Sequence, residues 1–150
     1  MKSSWITASN GLMLWLSPKK DVMVNEVIAE QNKQNIPDGF DEIRQAMKDG
    51  LTGVWAAHNI SEEQWAAKQA YISLGTTLNT AQELGLDVCP SEGFDPKAVM
   101  EVLASDGLAD ATHENVVVGM FVGKVDTSQD FHHFFNKSRK APEKAYKIIE

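Results

Sequence analysis

Two short blocks of this 150-residue chain hold side chains that can do chemistry: Pro90-Ser91-Glu92-Gly93-Phe94-Asp95 and Lys137-Ser138-Arg139. Glu92 is a candidate catalytic carboxylate, but acid–base work usually needs a partner group with a different environment. No second carboxylate stands at a telling spacing from it. Lys137, Ser138 and Arg139 suit a small anion, because ammonium and guanidinium groups are the usual partners of phosphate. They open a basic tail in which Lys137, Arg139, Lys140, Lys144 and Lys147 meet only Glu143 and Glu150, while the rest of the chain is acidic. Such a tail also fits a solvated C-terminal helix, or self-association with the acidic body, and composition does not choose among the three. His132 and His133 are adjacent and so point in different directions; no cysteine or further histidine lies at a zinc-ligand spacing, and no metal is expected. Cys89 has no triad partner and reads as a small packed residue in a loop. The chain has no Gly-x-Gly-x-x-Gly, no phosphate-binding Gly-Lys-Ser/Thr loop and no Gly-x-Ser-x-Gly elbow.

The elements that position these residues follow from periodicity and punctuation. Leu12-Met13-Leu14-Trp15-Leu16, between Asn10-Gly11 and Ser17-Pro18, has the pattern of a strand buried on both faces, and Val116 to Val122 has the same pattern. Val22 to Asn35 reads as a helix broken at Ile36-Pro37-Asp38-Gly39, and Phe40, Ile43, Met47 and Leu51 mark a second. Their charges are dense and mixed and no continuous buried face is evident, so residues 19–58 are expected to form an exposed, mobile helical cover. Ser61 with Gln64 is a capping box, opening a third helix that runs to Leu84 before Gly85. That helix carries no charge from Gln69 to Gln82 and is apolar on more than one side. It is therefore expected to be buried on more than one side and to meet a partner subunit. Asp95-Pro96 opens another helix, expected to stop near Ser105-Asp106-Gly107. Two strands with four or five helices mean α+β or α/β, with too few strands for a stable sheet. Nothing divides the chain, so residues 1–150 read as one domain.

The balance of 14 basic against 21 acidic residues gives a net charge of −7 and argues against nucleic-acid binding. One cysteine excludes an internal disulfide and fits a reducing compartment. No apolar leader follows Met1, and the uncharged run is too short and polar to span a membrane. The expectation is a soluble, cytoplasmic protein without nucleic-acid or membrane partners.

Gln64-Trp65-Ala66-Ala67-Lys68-Gln69-Ala70-Tyr71 leads through the long helix into Leu84-Gly85-Leu86-Asp87-Val88-Cys89-Pro90-Ser91-Glu92-Gly93-Phe94-Asp95. Then come Val116-Val117-Val118-Gly119-Met120-Phe121-Val122-Gly123, Asp130-Phe131 and Asn136-Lys137-Ser138-Arg139. In this order the segments resemble the C-terminal two-thirds of the FMN-dependent, oxygen-insensitive NAD(P)H nitroreductases, over roughly residues 8–140. The resemblance implies an α+β fold with a mixed sheet flanked by helices, an intertwined homodimer, and FMN at the subunit interface. It implies that hydride passes from NAD(P)H through flavin to a small-molecule acceptor, a nitroaromatic or quinone. Pro90, Ser91, Glu92 and Gly93 would then lie along the flavin ring, with a backbone N–H of the Glu92-Gly93 pair near N5. Lys137 and Arg139 would hold the phosphate, and Gln69 would reach a flavin of its own or the partner's site. The helices at 22–51 would cover the acceptor pocket. No catalytic side chain is implied, since the cofactor carries the chemistry.

The family's N-terminal Arg-x-Ser motif, a flavin-contacting segment ending in Gln-Pro-Trp and a sheet strand have no counterpart here, and Ser4 stands close to where the family places a lysine at the flavin N1–O2 edge. The chain is therefore expected to be a member shortened at its N-terminus. Two functions follow: a homodimeric flavin oxidoreductase, or a non-catalytic remnant that dimerises but binds FMN weakly or not at all.

Overall fold

A computed structural model describes residues 9–126 and 138–149. Strand β1 (Gly11–Pro18) leads into α1, which is wound as a π-helix over Met23–Ile28 and continues as an α-helix over Ala29–Asn35. Helices α2 (Asp41–Ala57) and α3 (Glu62–Glu83), strand β2 (Asp87–Ser91), helix α4 (Pro96–Ser105), strand β3 (Glu114–Gly123) and the single turn α5 (Pro142–Ala145) follow. The strands form a three-stranded antiparallel sheet in the order β1-β3-β2. The fold is α+β.

β3 takes the centre because its residues from Val116 to Val122 carry no charge and can be covered on both faces. Its Val118 and Met120 are 1% and 0% exposed. Leu14 stands opposite Gly119, and a bulge between Trp15 and Leu16 shifts the β1 register. A Cβ on Gly119 would lie 3.2 Å from Leu14 Cδ2 and 3.4 Å from Phe94 Cε1, so a larger residue here would press on both side chains.

The helix signals read from the sequence appear as geometry. Ser61 Oγ accepts from the Gln64 N–H at 3.1 Å and Gln64 Oε1 accepts from the Ser61 N–H at 2.8 Å, closing the capping box of α3. At its other end Gly85, at φ +68°, lets the N–H of Leu86 reach the Ala81 carbonyl at 2.9 Å, a Schellman closure. Asp95 Oδ1 caps α4 by accepting from the N–H groups of Lys97 and Ala98, and Gly107 ends it as Gly85 ends α3.

α3 is the spine, and it serves two cores. Its C-terminal half presents Leu74 to Val118 and Met120, with Trp15, Leu78, Val88 and Val122 around them. Its N-terminal half presents Ala66 to Met23, Val24, Ile28 and Trp55, with Leu51, Ile60 and Trp65 around them. The Trp55 and Trp65 rings meet there with centroids 5.4 Å apart and planes tilted by 47°.

Two expectations, on β1 and on Cys89, are corrected. Within the segment 19–58, Met23, Val24 and Ile28 of α1 and Trp55 of α2 are buried together at one point. β1 is not buried on both faces, since Leu12 and Met13 are 50% and 44% exposed at its start. α3 is buried on one side within the chain, along Ala66, Ala70, Leu74 and Ala81, while Ile72 on the other side is 65% exposed. Cys89 lies in a strand, not a loop: a proline in a five-residue run hid β2, yet an edge strand tolerates it. Among the described residues, no helix is long and apolar enough to cross a membrane.

Met120→Ala should destabilise the fold by about 2–5 kcal/mol, because it empties a site closed on all sides. Urea unfolding followed by tryptophan fluorescence checks this, and a midpoint equal to wild type would contradict the packing.

Candidate functional site

β2 delivers Pro90 and Ser91 to an open edge of the sheet, opposite Met120 and Gly119. Proline has no N–H, so the hydrogen-bonded positions of this ladder fall to Cys89 and Ser91. Pro90 therefore faces its nitrogen away from β3, and the strand ends one residue later at Ser91. The turn is held from within and from behind. Ser91 Oγ accepts from the Gly93 N–H at 3.2 Å, and the Glu92 carboxylate accepts from the Tyr71 hydroxyl at 2.5 Å. That hydrogen bond, with desolvation and the carboxylate's charge behind it, raises the Tyr71 pKa above its ordinary 10.0. Glu92 thus anchors the turn to α3.

Pro90, Ser91, Glu92 and Gly93 come together as read from the sequence, but Gln69 does not join them. It lies two residues before Tyr71 on α3, and two residues turn a helix through about 200°, so the two side chains leave nearly opposite sides. Gln69 is exposed and lines an open cleft of about 700 Å³ between α1, α2 and α3, whose walls include Met23, Ile28, Met47, Leu51 and Trp65. No charged side chain lines that cleft. Arg139 is exposed and donates from Nη1 to the carbonyl of its neighbour Ser138 at 2.9 Å. Among the described residues, no hydrogen bond or ion pair ties it to Pro90–Gly93. Lys137, His132, His133 and Ser4 lie outside the described residues.

A second polar cluster was not foreseen. Asp110, in the turn before β3, accepts from both the backbone N–H (2.8 Å) and the hydroxyl of Thr112, and lies 2.7 Å from His113 Nδ1. The Thr112 hydroxyl, the Thr112 N–H and then His113 hold the Asp110 pKa down at about 2. The sequence signal was present in Asp110-Ala111-Thr112, an acid followed two residues on by a hydroxyl, which is a turn-capping pattern. Tyr71 was missed as a site residue because it falls at an apolar spacing on α3. Among the described residues, no group of three or more His, Cys, Asp or Glu side chains is arranged to hold a metal.

An antiparallel sheet backed by one long helix, with a Pro-Ser-Glu-Gly turn on its open edge, defines a nitroreductase-like fold. The solved structure of an inferred NAD(P)H:FMN oxidoreductase from Staphylococcus epidermidis ATCC 12228 superposes with a TM-score of 0.61 at 15% identity, covering 97% of this chain and 64% of that one. At that identity the likeness speaks for the fold. Residues 15–124 match the nitroreductase family, and the chain belongs to it. An inferred NAD(P)H nitroreductase of Staphylococcus saprophyticus is 49% identical over 49 residues, 33% of this chain and 22% of that protein. Another, of Staphylococcus epidermidis, is 39% identical over 69 residues, 46% of this chain and 30% of that protein. The matched stretches thus span less than a third of these curated relatives.

Two titrations check the clusters. With Tyr71 raised, its hydrogen bond supports the fold below pH 10 and is lost as pH rises through the higher folded value. Glu92→Gln should move one of the chain's two tyrosine ionisations, followed by phenolate absorbance, back toward lower pH. With Asp110 depressed, its support is complete above the ordinary carboxylate value of 3.8 and fades as pH falls toward about 2. Thr112→Val should raise the midpoint of acid unfolding followed by circular dichroism.

Proposed function

We propose that this chain acts as a cytoplasmic, homodimeric FMN-dependent oxidoreductase that passes hydride from NAD(P)H to nitroaromatic or quinone-like acceptors. The observation that carries the reading is the turn Pro90–Gly93, fixed by Tyr71 through Glu92 at the end of an edge strand. FMN, when bound, supplies the hydride-transfer chemistry. This chain's residues fit it by type: a backbone N–H of the turn would suit a flavin ring nitrogen, and cations would suit the phosphate. Lys137 and Arg139 would supply those cations, since a guanidinium can donate two parallel bonds to a phosphate.

The dimer reading rests on α3. Ile72, Thr76 and Asn79 lie on its side away from the core and carry no charge, and Ile72 is 65% exposed. A second copy laid there would bury this side. Because Gln69 and Tyr71 leave α3 on opposite sides, the glutamine that meets a flavin beside Glu92 would come from the partner subunit. The cleft lined by Gln69 and covered by α1 and α2 offers uncharged walls for an aromatic acceptor.

Freshly purified protein should be yellow, with flavin absorbance that releases as FMN. Fluorescence titration should show Arg139→Ala weakening FMN by roughly tenfold to a hundredfold, as expected for loss of one charge-assisted bond, while riboflavin is unaffected. Equal FMN affinities would move the phosphate site elsewhere. A wild type that binds no FMN at high micromolar concentration would favour the remnant reading. Light scattering should give twice the 16.6 kDa chain mass, and Ile72→Glu should return it to the single mass. Leu74, packed in the intramolecular core, cannot serve as that test.

A further inference from the structure

His113 stands between two carboxylates that come from different parts of the chain. Its Nδ1 is 2.7 Å from Asp110 Oδ2 and 2.7 Å from Thr112 Oγ1, and its Nε2 is 3.6 Å from Glu26 Oε1 in the π-helical part of α1. The Thr112 hydroxyl donates its own proton to Asp110 Oδ1, so both neighbours of Nδ1 are acceptors. Nδ1 therefore keeps a proton in the neutral ring as well as in the charged one, and Nε2 is the nitrogen that switches. In the charged ring, an N–H and a positive charge face Glu26. In the neutral ring, a lone pair faces a carboxylate. The same contact thus changes sign with one proton.

The surroundings leave this contact free to act. Lys19, between β1 and α1, is committed to the turn: its N–H donates to the His113 carbonyl at 2.8 Å and its Nζ donates to the Ala111 carbonyl. Glu114, at the start of β3, accepts from the Asp110 N–H at 2.9 Å. In the first turn of α3, Glu63 accepts from the Lys20 N–H at 3.1 Å and from Asn115 at 3.3 Å, and Glu62 accepts from the Asp21 N–H at 2.9 Å. These bonds fix the chain just before α1. Further along, among the described residues, the Glu26–His113 pair ties the Asp110–His113 turn to α1 itself. Between the two runs a cleft of about 380 Å³, lined by Leu16, Ser17, Pro18, Val22, Val27 and His113.

We propose that His113 is a proton-operated latch on α1: when charged it draws Glu26 in and holds α1 over this cleft, and when neutral it releases α1. The latch does not depend on flavin binding. Both side chains are well exposed, at 45% and 61%, so the pair is worth little and its effect is a shift in local opening, not in folding. A roughly two- to fivefold change in opening is the scale for such a pair.

Amide hydrogen exchange of the whole protein at pH 6 and pH 8, corrected for intrinsic rates, reads that opening directly. In wild type, α1 should open roughly two- to fivefold more at pH 8, while the Leu74–Ala81 part of α3 stays unchanged. Glu26→Gln should abolish the pH difference in α1, because an uncharged amide can accept from the charged ring and donate to the neutral one. His113→Gln should open α1 to the same degree at both pH values. A wild-type α1 indifferent to pH, or a pH difference that survives Glu26→Gln, overturns the latch.

Discussion

The burial of Val118 and Met120 under Leu74 is the contact on which the rest of the structure depends. It fixes α3 to the sheet, and once α3 is fixed every other position follows from the helical repeat. Tyr71, one turn before Leu74, reaches the Glu92 turn, and Ser73 Oγ accepts from Trp15 Nε1 at 3.0 Å, pinning the outer strand β1. Ala66, two turns back, accepts α1 and α2. Ala66 faces the helical cluster and Leu74 the sheet cluster, so one face of one helix serves both cores.

Pro90 resolves a conflict between stability and exposure. An edge strand with free N–H groups invites another strand to pair with it. A proline on the outward side removes one donor from that edge while costing no bond to β3. The strand ends one residue after the proline, at Ser91, so the exposed edge is also short. The stiffness of the turn that follows comes from Ser91 and from the Tyr71–Glu92 bond.

The features legible in the sequence were those decided within a few residues. The capping box at Ser61, the glycine closures at Gly85 and Gly107, the Asp95-Pro96 start and the apolar run of β3 all depend on near neighbours. What escaped depends on distant ones. Whether Leu12 is covered, whether Tyr71 meets a carboxylate 21 positions away and whether His113 meets Glu26 are settled by how elements pack. In the charge-rich stretch 19–58 the apolar residues are few, and only the packing shows that Met23, Val24, Ile28 and Trp55 converge on one point. The turn residues were legible only through resemblance to a family, since no spacing rule singles out Pro-Ser-Glu-Gly. Gln69 shows the limit of that route, because the helical repeat carries its side chain away from the turn that the same motif names.

The two cores are also held in different ways, and this decides where motion can be confined. The sheet core is closed by backbone ladders on both sides of β3. The first cluster contains no strand; α1 is attached through apolar contacts and through backbone N–H groups accepted by Glu62 and Glu63, whose charges also complement the positive end of the α3 dipole. Opening α1 therefore breaks no ladder and leaves the Leu74–Met120 contact intact, so it can occur as a local event well below the free energy of global unfolding. A π-helical start adds to this, since it makes wider hydrogen-bonded turns than the α-helix that follows. The chain thus places its strand-anchored helix behind the Pro90–Gly93 turn, and the helices held by side-chain contacts line the clefts.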